Sequence, residues 1–190
     1  MDFPAHPFWD FALAVYKTPG VSAACLDIQE RHGADVNVVL FCCWLGESGR
    51  GAVTPERLAE SCRAVESWHE TVVKRLRGVR RALKEGIERA PSDLASTLRG
   101  QIQAYEIDAE HIELLTLAAS VADIKPDPAR PAEARAEDAI ANIGTYLTSL
   151  GASLTGADRS ALGQIVAAAF PRYGRERAET QLSSRLAIAV

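Results

Sequence analysis

The sequence predicts an all-α fold, a single helical bundle of about seven helices organised round a long antiparallel helical hairpin. Three observations predict it. Val36 to Leu45 is an apolar run; Leu58 to Leu83 carries apolar residues at alternating steps of four and three; a second long amphipathic stretch follows the turn residues Gly86, Pro91 and Ser92. Steps of three and four stack side chains on one face of a helix with 3.6 residues per turn, so each stretch presents a stripe that must be covered.

The run from Val36 to Leu45 contains a single polar residue, Asn37, and so has no face to rest on solvent. At about 10 residues it is half the length needed to cross a bilayer, which leaves a central core element and no membrane span. Val36, Val38 and Val39 would suit a strand, but Asp35 stands where an N-cap belongs and Gly46 where a terminal glycine belongs, so the reading is helix.

With 190 residues, 47% of them hydrophobic, the chain can bury one good core. The expected domain covers 1–171, with short helices over 7–46, the hairpin over 54–122 and closing helices over 131–170; 172–190 is expected as a frayed or weakly helical tail. A net charge of −4 does not suggest a general polyanion binder. The opening MDFPAHPFWDF shows no export signal, and Cys25, Cys42, Cys43 and Cys62 include no CxxC pair. They read as reduced, buried thiols of a cytoplasmic protein.

In chain order, Phe8, Ala12 and Val15 form one stripe of a first helix and Trp9, Leu13 and Tyr16 the next, with Pro7 in its first turn. Thr18, Pro19 and Gly20 break it, and Ser22 can cap a second helix that turns Val21, Cys25 and Ile28 inward and ends near Gly33. The opening FWDF, the segment GVSAACLDIQ and the helix DVNVVLFCCWL, together spanning Phe8 to Gly46, resemble a family of proteobacterial proteins known as a domain of unknown function. The resemblance implies an intact, soluble helical protein and brings no activity, cofactor or site residue.

GESGRGAVTP lacks the Lys-Ser/Thr and the preceding strand of a phosphate loop, so it is a connection. Thr54 caps the next helix with Pro55 at its first position, and Leu58, Cys62, Val65, His69, Val72, Leu76, Val79 and Leu83 form its seam. The second arm opens at Asp93, with Leu94, Leu98, Ile102, Tyr105, Ala109 and Ile112 on one line and Ile107, His111, Leu114, Ala118 and Val121 on its neighbour. KPDPARP is a rigid linker. Ala136, Ile140, Ile143, Leu147 and Leu150 mark a further helix, and Ala157 to Phe170 a shorter one.

If the hairpin turns near Arg89 and Ala90, facing residues have numbers summing to about 180, which sets His69 level with His111. Each belongs to a carboxylate-x-x-histidine pair, Glu66 with His69 and Asp108 with His111, a spacing that puts both groups on one helical face and suits Fe, Mn or Zn. Glu70, Glu110 and Glu113 lie nearby, but the further carboxylates a di-iron bundle needs, Glu30 or Glu137, are set by no spacing, and the first three helices are too short for such a bundle. The competing reading is two core histidines hydrogen-bonded to acids, with no cofactor. Cys62 and His69 are about 10 Å apart along the axis, too far to share a proton.

Lys74, Arg77, Arg81 and Lys84 form a basic stripe that reads as a solvated face, with phosphate or nucleic acid as the alternative ligand. The early aromatics Phe3, Phe8, Trp9 and Phe11, or the closing LAIAV, could meet a protein partner. No GxSxG, HExxH or dinucleotide motif is present. The expected function is therefore that of a non-catalytic helical adaptor or small-ligand-binding protein with an unidentified protein or small-molecule partner; a metal protein using Glu66, His69, Asp108 and His111 is the alternative.

Overall fold

The computed structural model describes residues 3–88 and 90–186, and every regular element among them is helical. Its centre is α3 (Val36–Glu47), in which Asn37 and all residues from Val38 to Gly46 are buried. The Asp35 side chain caps it by accepting the Asn37 backbone N–H at 2.9 Å. A helix apolar on all sides must be surrounded, and α3 is packed by α1 (Pro7–Tyr16), α2 (Val21–His32), α6 (Ser92–Ser120), α7 (Ala132–Ser149) and α8 (Gly156–Ala169). Gly46 does not end the helix as its position suggested. The chain stays helical to Glu47, and Gly46 is where α7 crosses: a Cβ there would lie 2.2 Å from the Arg135 carbonyl oxygen.

The first two helices follow the expected stripes, with Phe8, Ala12, Val15, Val21, Cys25 and Ile28 all buried. Ser22 is not the cap of α2. That helix starts at Val21, behind Gly20, and stops at Gly33, whose φ of 66° favours a residue without a Cβ. The four cysteines are free thiols, three of them buried.

The first arm of the hairpin is one continuous rod made of α4 (Pro55–Trp68), a π-helical turn (His69–Val73) and α5 (Lys74–Glu85). Thr54 caps it, accepting the Arg57 N–H. It runs antiparallel to α6 with pairs summing near 180 throughout: the Arg57–Asp123 ion pair, Ser61 with Ser120 at 2.8 Å, and Trp68 Nε1–H donating to the Ala109 carbonyl at 3.0 Å. The expected turn residue Arg89 lies outside the described residues.

The π turn adds a residue to one helical turn and so rotates everything after it. Leu58, Val65 and His69 are buried as the seam requires, but the next buried residue is Val73 and not Val72, and Val79 is half exposed. The seam therefore stops at the turn. Beyond it Leu76 and Leu83 are only half-buried, Arg77 and Arg80 pair with Glu106 of α6, and α5 buries no residue. The distal half of the hairpin leaves Leu94, Leu98 and Tyr105 exposed, so the first of the two stripes read on α6 is covered only from Ala109 onward.

Residues expected as a tail instead build α9 (Arg175–Leu186), which buries Ala178 and Leu182 against α8 and α7. Its apolar positions are only four residues apart in an otherwise polar stretch, too sparse to announce a packed helix. The last four residues, most of the LAIAV peptide, lie outside the described residues. No helix among the described residues is long and apolar enough to cross a membrane.

Candidate functional site

A cleft of about 910 Å³ opens between α4 and α7. Its walls are mainly apolar, with Val38, Leu58, Val65 and Ile140 beside Cys62 and Tyr146. At its base stands His69, the first residue of the π turn.

His69 is held by two carboxylates from two other elements. Its Nδ1 lies 2.9 Å from Oε1 of Glu113 on α6 and 3.0 Å from Oδ2 of Asp35 at the start of α3. Glu113 is wholly buried, and its second oxygen accepts a hydrogen bond from the Asn37 side-chain amide at 2.7 Å. Oδ1 of Asp35 is occupied by its own capping bond, and the Asp35 backbone N–H donates to the Tyr146 hydroxyl at 2.8 Å. Each carboxylate thus spends one oxygen on being positioned and turns the other toward the imidazole.

Burial acts on all three groups and the hydrogen bonds answer it differently. For His69, burial disfavours the imidazolium, but the bonds and charges of Asp35 and Glu113 outweigh it and raise its pKa to about 10. For Glu113, burial and the neighbouring Asp35 charge raise the carboxyl to about 7 against the pull of His69. Asp35 is also penalised by burial, yet its bond to His69 and the His69 charge bring it below the ordinary carboxylate value. The Cys62 thiol in the same cleft is pushed up to about 11 by burial and by Asp35, so it is held neutral.

Of the four residues expected to hold a metal, His69 alone belongs to this cluster. Glu66 is exposed on the cleft wall. His111 is level with His69 along the hairpin but faces elsewhere. Its ring stacks on Trp9, with centroids 3.9 Å apart, and on Phe3 at 4.2 Å, and burial lowers its pKa. Asp108 is half-buried, one turn away on α6, and its charge acts on His111. The physical reason is angular: Glu113 lies two residues beyond His111, about 200° round the helix, so only one of them can face the first arm. Among the described residues, Asp35, His69 and Glu113 are the group that brings three metal-ligating atoms together, within 4.8 Å of one another.

Asp35 and Glu113 had signals in the chain. Asp35 reads first as a helix cap, and capping consumes only one of its oxygens. Asn37 is the stronger clue: the one polar residue of the central run is there because its amide holds the buried Glu113.

The four residues of the basic stripe, all on α5, are not equally exposed. Lys74 is exposed and pairs with Glu70 at 2.6 Å; Arg81 and Lys84 are exposed. Arg77 is turned inward, where Glu106 at 3.0 Å, Glu110 at 2.7 Å and the Gln29 carbonyl at 2.8 Å take its donors. Its charge is spent inside the protein. A second cleft of about 460 Å³ lies beside it, bordered by Trp9, Tyr16 and Arg81.

Compared with known proteins, the chain matches no curated protein and no solved structure. The model of a family described as "Protein of unknown function (DUF2390)" matches residues 7–117, from the start of α1 to near the end of α6. Asp35, Asn37, His69 and Glu113 all fall within the matched stretch, whereas Tyr146 and the α7 wall of the cleft lie beyond it. This chain belongs to the DUF2390 family.

Proposed function

We propose that this is a small-ligand-binding protein whose ligand occupies the cleft between α4 and α7 and meets His69 at its base. The observation that carries the reading is the combination of a largely apolar cleft of about 910 Å³ with a fixed polar pair, His69 and Asp35, in its lining. Ligand pockets typically have about 300–1,000 Å³ and a few well-held polar groups in an apolar lining. His69 suits that part because Asp35 and Glu113 hold its Nδ1 side, while Nε2 makes no hydrogen bond among the described residues. A ligand combining an apolar body with an acceptor oxygen matches this lining.

The test is a titration with 1-anilinonaphthalene-8-sulfonate, which has an apolar body and an anionic head. One saturable site is expected in the wild type, lost in Ala141→Phe, which fills the α7 side of the cleft. Equal binding by both proteins overturns the assignment.

An adaptor role is favoured by a separate observation, the apolar residues on the distal hairpin. Val79, Ile87, Leu94, Leu98 and Tyr105 are each between 46% and 64% exposed, apolar surface that a protein partner would cover. A photo-crosslinking residue at Leu94 should capture a protein partner that Leu94→Lys and Leu98→Lys together no longer bind.

A further inference from the structure

Three electron-rich atoms converge beside the cleft from three different elements: Oδ2 of Asp35 and Nδ1 of His69, whose residues line it, and Oε1 of Glu113 buried behind them. An imidazole nitrogen carries at most one hydrogen, so it cannot make a full hydrogen bond to both carboxylates at once. Neither carboxylate can turn away. The second oxygen of each is engaged, Oδ1 of Asp35 by the Asn37 N–H and Oε2 of Glu113 by the Asn37 amide. In the metal-free chain the Glu113 carboxyl also bonds Asp35 while it keeps its proton; once it ionises, two fixed carboxylate oxygens face the single Nδ1 hydrogen, in a place where Glu113 has no exposure at all.

A cation with several coordination directions satisfies all three atoms. The separations of 2.9 and 3.0 Å from Nδ1 are those of neighbouring ligands round an octahedral ion, about 3.0 Å when each bond is about 2.1 Å. One imidazole nitrogen with two carboxylate oxygens suits divalent first-row ions of intermediate hardness. The cluster also has the supporting contact expected of such centres, because Asn37 orients both carboxylates. A second observation comes from the other side of the ring. His69 is nine-tenths buried, it lines the cleft, and its hydrogen bonds and ion pairs among the described residues are all made by Nδ1.

We propose that Asp35, His69 and Glu113 form the binding site of one divalent transition ion, Mn²⁺, Fe²⁺ or Zn²⁺, whose remaining coordination positions open into the cleft. Asn37 is its positioning residue. The ion site stands on its own geometry. That the open positions receive a chelating group of an organic ligand rests on the cleft reading above.

The test uses the full chain, stripped with a chelator and titrated with Mn²⁺, followed by the loss of the free-ion electron paramagnetic resonance signal, and with Co²⁺, followed by visible absorption. One equivalent of each is expected to bind. Asp35→Asn and Glu113→Gln should each weaken binding by about 100-fold or more and Asn37→Ala by about 10-fold, with Glu85→Gln, exposed at the end of α5, unchanged. Asparagine is as good a helix cap as aspartate, so Asp35→Asn remains informative even if Glu113→Gln does not fold. No binding by the wild type, or equal binding by Asp35→Asn, overturns the ion site. The two readings fail separately: dye binding without Mn²⁺ binding removes the ion and leaves the cleft, and Mn²⁺ binding without dye binding does the reverse.

Discussion

Nδ1 of His69 lies 2.9 Å from Oε1 of Glu113, 44 residues further along the chain. This contact ties the two arms of the hairpin together at the one place where the first arm leaves α-helical geometry. His69, at the end of α4, faces Glu113 of α6, and Asp35 and Asn37 close the cluster from the start of α3.

Removing His69 should leave Asp35 and Glu113 facing each other without a counter-charge. His69→Ala is expected to cost about 3 kcal/mol of stability in urea unfolding, in the range for breaking a buried pair. Asn37→Leu, which keeps the core volume but strips Glu113 of its amide donor, should cost about 1–3 kcal/mol. A cost below 0.5 kcal/mol for both, on the order of an ordinary surface change, would show the cluster to be without structural weight.

The pH dependence of the metal-free chain follows from the two raised groups. Glu113 keeps its proton to about 7 when folded, against 4.5 unfolded, so the folded state binds the extra proton between these values and stability falls as pH rises through them. His69 keeps its proton to about 10 against 6.5, so its contribution is complete below 6.5 and is lost as pH rises toward 10. Asp35, held low, matters only in acid, where its contribution disappears. The melting temperature should therefore decline from pH 5 to 9, by a stability change of about 1–3 kcal/mol, and Glu113→Gln should flatten the part below pH 7. A wild-type profile that rises over this range would contradict the assignment.

Gly46→Ala sets a Cβ 2.2 Å from the Arg135 backbone and should cost about 3 kcal/mol or more, because a crossing helix cannot shift as a side-chain end can. Gly78→Ala, on the exposed side of α5 with nothing within 4 Å, should stabilise by about 0.5–1 kcal/mol. Thermal unfolding of the two variants checks both signs in one experiment.

The phase change at the π turn is testable with two neighbouring valines. Val73→Ala should cost about 2 kcal/mol or more and Val72→Ala under about 1 kcal/mol, the reverse of what the regular seam implies. Equal losses in denaturant unfolding would mean that the rod is α-helical throughout.

The chain by itself determined the helical class, the central run from Val36 to Leu45, the antiparallel hairpin and its register, because periodicity, caps and turn residues are local properties. It also marked His69 and the acids near it. What it could not decide was the direction each side chain faces after a register shift. A single added residue in the π turn ended the 4,3 seam after His69 and brought Arg77 inward, while the angular positions on α6 set Glu113, and not His111, against His69. Asp35 joined the cluster from a helix cap far away in the chain, and α9 was held by neighbours that its own sparse apolar residues do not announce. Those outcomes depend on which surfaces meet when the helices pack, and only the tertiary structure decided them.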